Sequence, residues 1–190
     1  TDRQVIAQAN DVNVELEPAE IQDARLKAYL QSMGDRIVAA AREADQAREG
    51  PKAHFDEKED NSWMFTSSEF HLVNSKTLTT GEEHMYISSE LMQQCRSEDE
   101  LAAVMAHEYA HVYGRHVHKG MNRQYMMLGA SAGAGLIGLA IGGKEHGQDY
   151  GTIALVSATT IGQFLNLGYA RDDEEEADKW GFHFYARAGW

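Results

Sequence analysis

The stretch from Ser97 to His116 limits the folds open to this chain more than any other part of it. Ser97-Glu98-Asp99-Glu100 has the S-x-x-E form of a capping box, in which a hydroxyl and a carboxylate satisfy the free amides of a helix start. Leu101, Val104 and Met105 follow at helical spacing, and Ala102, Ala103 and Ala106 are strong helix formers. A helix from about Glu98 to about His116 is therefore expected. Inside it stands His107-Glu108-Tyr109-Ala110-His111. Positions four apart stack on one face of a helix, so both imidazoles can reach one ion at about 2.0–2.1 Å. Glu108 then lies beside them, where it can take a proton from a water on that ion. The bland alternative is a helix with two surface histidines next to a glutamate.

Two histidines need a third protein ligand, with a further position left to water. One known solution is H-E-x-x-H-x-x-G-x-x-H. Gly114 fits that pattern, but the required position holds Val117, with His116 and His118 on either side. One residue of register turns a side chain by about 100°, so both histidines are read as polar residues near the helix C-terminus, where positive charge is favoured. The remaining solution is a distant carboxylate. Arg171-Asp172-Asp173-Glu174-Glu175-Glu176-Ala177-Asp178 opens a second amphipathic helix with acidic residues in its first turn. Glu174 and Asp178 are four apart and share a face, so Glu174 can bind the ion while Asp178 accepts a hydrogen bond from a ligating histidine and fixes its tautomer. Taken alone, the run would read as a solvated acidic helix start.

The pairing of His107–His111 with Arg171-x-x-Glu174-x-Glu176-Ala177-Asp178-x-x-Gly181 resembles metallopeptidase family forty-eight, the family of HtpX, the CaaX prenyl proteases and periplasmic proteases of the BepA and LoiP type. Glu98 to Ala106 is similar to the family's approach to its active helix. Leu26, Tyr29, Leu30 and Gly34 resemble its N-terminal helix, and Asn74, Leu78 and Gly81 resemble its N-A-F-A-L-P-G-G strand segment. The likeness runs over roughly residues 20 to 190. It implies an α+β, mainly helical, zincin-like (gluzincin) metalloprotease domain with a small mixed sheet and an HExxH active-site helix. It further implies one zinc per chain on His107, His111 and Glu174, with Glu108 as general base and Asp178 supporting a ligand. Glu174 is selected from its run because it stands three after Arg171 and four before Asp178; Glu176 also matches the pattern, less naturally as a ligand. Arg171, His183 and Tyr185, with Tyr169, are candidates to touch substrate or transition state, against a simpler role in helix packing. The strand segment departs from the family at Ser75-Lys76-Thr77 and Thr79-Thr80, which leaves substrate preference open.

A chain of 190 residues can bury one real core, so residues 1–190 are expected to form a single catalytic domain. A net charge of −13 argues against nucleic acid or an anionic membrane surface as partner. The lone cysteine, Cys95, cannot form an internal disulfide and is expected to be a buried, inert thiol. The opening at Thr1 and the stop at Trp190 suggest a catalytic domain excised from a longer chain, with any signal or lipid-attachment segment removed or never cloned.

Periodicity predicts a long helix from Pro18 to about Ala47, with Leu26, Leu30, Met33, Ile37 and Ala41 on one face. Gly50-Pro51 ends it, and a charged loop runs through Asp60. Trp63–Thr66, Glu69–Val73 and His84–Ser88 are strand candidates, and a short helix is expected at about Glu90–Gln94. Met126 to Gly143 and Gly151 to Gly168 are apolar, with the small-xxx-small spacings Gly129/Gly133 and Gly138/Gly142. Gln163, Asn166 and the abundance of small residues favour a buried or surface-associated hairpin over a spanning one, so 126–168 is the candidate for membrane association.

These readings lead to a zinc metalloendopeptidase acting on protein or peptide substrates, with misfolded envelope or membrane proteins as the class that the resemblance implies. The bacterial periplasm or the membrane-associated envelope is the implied location. The alternatives are a self-inhibited or inactive zinc-binding domain serving as a protein-interaction module, and a hairpin anchor whose histidines are incidental.

Overall fold

The computed structural model describes residues 14, 17–49, 69–73, 79–81, 84–116, 119–120 and 169–190. The first long helix, α1 (Ala24–Gln46), starts where the Asp23 carboxylate accepts from the amides of Arg25 and Leu26 at 2.9 and 3.0 Å. This start is later than the Pro18 expected from periodicity. Glu17–Ala19 is instead a 3-10 turn, and the Ile21 amide donates to the Leu72 carbonyl at 2.8 Å, tying the lead-in segment to a strand. The buried face of α1 carries Leu30, Met33, Gly34, Ile37, Val38 and Ala41. At Gly34 a side chain would collide with the Phe70 ring, so the glycine is what lets the sheet approach the helix.

Three strands form a small mixed sheet, β1 (Glu69–Val73), β2 (Thr79–Gly81) and β3 (His84–Ser88), in the order β1-β3-β2. β1 runs parallel to β3 with Phe70 opposite Met85 and Leu72 opposite Ile87; β2 runs antiparallel to β3. Phe70, Leu72, Met85 and Ile87 join the main core, as expected for one face of a period-two pattern. Trp63–Thr66, Asn74, Leu78, the 126–143 and 151–168 stretches and His118 fall outside the described residues. Among the described residues no helix is long and apolar enough to cross a membrane.

Ser88 caps a short helix, α2 (Ser89–Gln94), through the Leu91 amide at 3.0 Å. Cys95 follows it, half-buried rather than fully buried; burial and the nearby Glu100 charge push its thiol up, which keeps it protonated and unreactive. Ser97 then caps α3 (Glu98–Tyr113) by accepting from the Glu100 amide at 3.3 Å. The reciprocal bond of a capping box is displaced by one residue: the Glu100 carboxylate accepts from the Arg96 amide at 2.7 Å. α3 stops at Tyr113, short of the expected His116, because Arg115 takes a left-handed φ of 55°.

The last helix, α4 (Arg171–Arg187), packs along α3. Phe184 meets Tyr109 and Tyr113 edge-on at ring distances of 6.2 and 5.1 Å, and Trp180 tilts against Tyr113. Gly181 makes the close approach possible: a Cβ there would stand 2.7 Å from the Cα of His107. The C-terminus is stitched to α1 and α3, with Arg36 over the Trp190 ring at 3.6 Å and the Trp190 indole donating to Glu98 at 3.0 Å.

Candidate metal centre

The helical spacing of His107 and His111 brings their Nε2 atoms to 3.1 Å from each other on α3. Crossing at Gly181, α4 delivers a carboxylate to the same point. Glu174 Oε2 lies 3.5 Å from His107 Nε2 and 3.9 Å from His111 Nε2. One ligand atom from each of the three residues falls within 4.8 Å of the others. Of the three consecutive glutamates, the described contacts send the other two elsewhere: Glu175 pairs with Arg171 at 3.0 Å, and Glu176 with Lys119 at 3.2 Å.

The donor set fits a zinc ion. Ligands at about 2.0–2.2 Å in tetrahedral array stand roughly 3.3–3.6 Å apart, and two imidazoles with one carboxylate leave a position open for water. The hydrogen bonds behind the imidazoles set them up as acceptors. Asp178 Oδ1 stands 2.9 Å from His107 Nδ1, so the proton sits on Nδ1 and the Nε2 lone pair faces the cluster. Asp178 is 77% exposed on its side chain, which makes the bond accessible to substitution without disturbing the core.

On the other side is a partner that the spacing argument placed wrongly. His116 does not point to solvent near a helix end; it is fully buried, and its Nδ1 lies 2.8 Å from His111 Nδ1. Its Nε2 faces Glu176 Oε2 at 3.5 Å and Asp173 Oδ1 at 3.9 Å. With the proton of His111 on Nδ1, His116 accepts there and presents its own proton to the two carboxylates. The sequence signal was available in Gly114: its Cα carries no side chain because the His116 ring lies against it. Burial, followed by the His116 and His107 charges, pushes His111 down to about 3. His111 is thus neutral near pH 7, as a nitrogen ligand must be. The Tyr169 ring stacks on His111 at 3.8 Å and 16°, completing its enclosure.

Glu108 sits on the next position of α3, half-buried at the end of a small apolar pocket lined by Met85, Ile87, Leu91, Leu101, Val104 and Met105. Burial raises its carboxyl to about 7, partly opposed by His107 and reinforced by the Glu174 charge. A carboxylate in that range can both take and give a proton near neutral pH. The described contacts of the remaining candidates lead away from the cluster. Arg171 engages Glu175, His183 approaches Glu49 at 3.2 Å, and Tyr185 stacks on Trp190. Among the described residues, β2 is the outer strand of the sheet on the side of α3.

The sequence profile of peptidase family M48 matches residues 27–190. A Vibrio cholerae protein provisionally named beta-barrel assembly-enhancing protease is 33% identical over 172 residues, covering 89% of this chain and 31% of the relative. The beta-barrel assembly-enhancing protease of Yersinia pestis is 28% identical over 176 residues, again covering 89% of this chain and 31% of the relative. The chain thus spans about a third of the length of these curated relatives.

Proposed function

Because the chain belongs to peptidase family M48, we propose that it is a zinc-dependent endopeptidase whose ion is held by His107, His111 and Glu174 and whose general base is Glu108. The convergence of these three side chains from two crossing helices is the observation that carries the reading. In this reading 1–190 acts as a single catalytic unit of zincin-like fold, with α3 as its active-site helix. When bound, zinc supplies Lewis acidity, which activates water and polarises a scissile carbonyl.

The protein's own groups do the rest. Asp178 and His116 hold the two imidazoles in the tautomers that turn Nε2 toward the centre. Glu108 takes a proton from the attacking water and returns it to the leaving amine. β2, as the outer strand, offers backbone groups to an extended peptide. Protein or peptide substrates follow from membership of a peptidase family. The names of the relatives, each a protease that enhances β-barrel assembly, support a place in envelope protein quality control, in the periplasm or at the membrane-associated envelope.

Casein digestion with and without a chelator, run beside metal analysis, tests the reading. Activity should vanish with the chelator and return with zinc. Glu174→Ala should remain folded yet lose this zinc and the activity, while Glu175→Ala and Glu176→Ala keep the ion. Zinc retained in Glu174→Ala and lost in Glu175→Ala or Glu176→Ala would move the ligand within the run.

A further inference from the structure

A second constellation of the same kind lies on the sheet. In β1, Glu69 and His71 are two residues apart and so share a face; the parallel register sets Glu69 opposite His84 of β3. His71 Nε2 and His84 Nδ1 are 3.1 Å apart, and Glu69 Oε2 lies 3.5 Å from the first and 3.8 Å from the second. One ligand atom from each falls within 4.8 Å of the others. These spacings nearly repeat the 3.1, 3.5 and 3.9 Å of the helical cluster.

The supporting bond is repeated as well. Glu20 Oε1 stands 2.9 Å from His71 Nδ1, the role that Asp178 plays toward His107. This fixes the His71 proton on Nδ1 and turns its Nε2 lone pair toward Glu69 and His84. His71 is 4% exposed and stacks on Tyr86 at 5.1 Å, and His84 is buried too, so the two imidazoles are enclosed while Glu69 reaches them from the surface.

We infer that Glu69, His71 and His84 form a second site for a divalent transition metal of the zinc class, joining β1 to β3 on the sheet face opposite Phe70 and Met85. Two imidazoles and one carboxylate suit zinc, cobalt or nickel and not the all-oxygen preference of calcium or magnesium. Through Glu20 the ion would also fasten the segment leading into α1, so its role is structural. The inference stands independently of the assignment at His107, His111 and Glu174.

Cobalt titration of the chelator-stripped protein, followed by visible absorption and by competition with zinc, tests it with carboxylate variants that spare the core. Glu69 is 60% exposed on its side chain and Glu174 is 46% exposed, so neither Glu69→Gln nor Glu174→Ala threatens folding. The unsubstituted protein should bind two equivalents, and each single variant should keep one. Glu69→Gln combined with Glu174→Ala should bind neither tightly, with the sheet site weakened at least about tenfold. Metal binding by Glu69→Gln that is unchanged in both stoichiometry and affinity overturns the proposal, because it shows His71 and His84 merely hydrogen-bonded to each other. Failure of the helical site would appear separately, as Glu174→Ala losing nothing.

Discussion

Replacing Gly181 by alanine should weaken the metal centre from across the helix interface. Alanine is normally the better helix residue by about 1 kcal/mol, so an ordinary helical position would gain stability. Here the new Cβ would stand 2.7 Å from His107 Cα, 2.9 Å from His107 N and 3.1 Å from the Ala106 carbonyl oxygen. All three are backbone atoms and cannot swing aside. Reaching ordinary contact at 3.4 Å requires α4 to retreat from α3 by about 0.7 Å. Overpacking of this kind costs about 1–3 kcal/mol, which cancels the propensity gain of about 1 kcal/mol and leaves a net loss of up to about 2 kcal/mol. Glu174 and Asp178 ride on the same helix, and metal distances tolerate only about ±0.2 Å. Zinc affinity should therefore fall at least about tenfold. Urea unfolding of the metal-free protein reads the first effect, and chelator competition reads the second. A Gly181→Ala protein that is more stable and binds zinc as before would refute the close packing and the dependence of the site on it.

Asp178→Asn should lower zinc affinity or turnover by ~10–100-fold, the usual cost of removing a carboxylate behind a ligating imidazole; chelator competition and a peptide assay measure it, and unchanged values would detach Asp178 from the site. His116→Ala should cause a loss of the same order in zinc affinity, through His111. It should also destabilise the fold, because the buried His111 Nδ1 loses its partner at a cost of about 1–3 kcal/mol. His116→Asn, able to accept from His111 again, should recover part of the zinc affinity; equal affinity in all three proteins would reduce His116 to packing.

The helix bearing His107 and His111 was legible in the sequence because the cap, the apolar spacing and the alanines agree with one another. Strands β1 and β3 and the short helix between β3 and α3 were legible for similar local reasons. The start of α1 was not, because the choice between Pro18 and Ala24 rests on which carboxylate captures the first free amides, and Asp23 does. The role of His116 was hidden by a straight-helix assumption. Once Arg115 adopts a left-handed φ, the chain turns and a residue five after His111 can face it. The pairing of Glu69 and His71 with His84 was equally out of reach, since it depends on parallel register between strands that sequence spacing does not reveal. Gly181 was recognisable as part of a motif; that His107 is what it makes room for needed both helices in place.

The most direct measurement is the zinc content and peptidase turnover of Glu108→Gln, taken on the same sample. Glu108 lies beside the ligand cluster without belonging to it, so zinc content should equal that of the unsubstituted protein. Turnover should fall by at least ~10²–10⁴-fold, the contribution of a positioned acid–base group. Full zinc with undiminished turnover would contradict the assignment of Glu108 as the base.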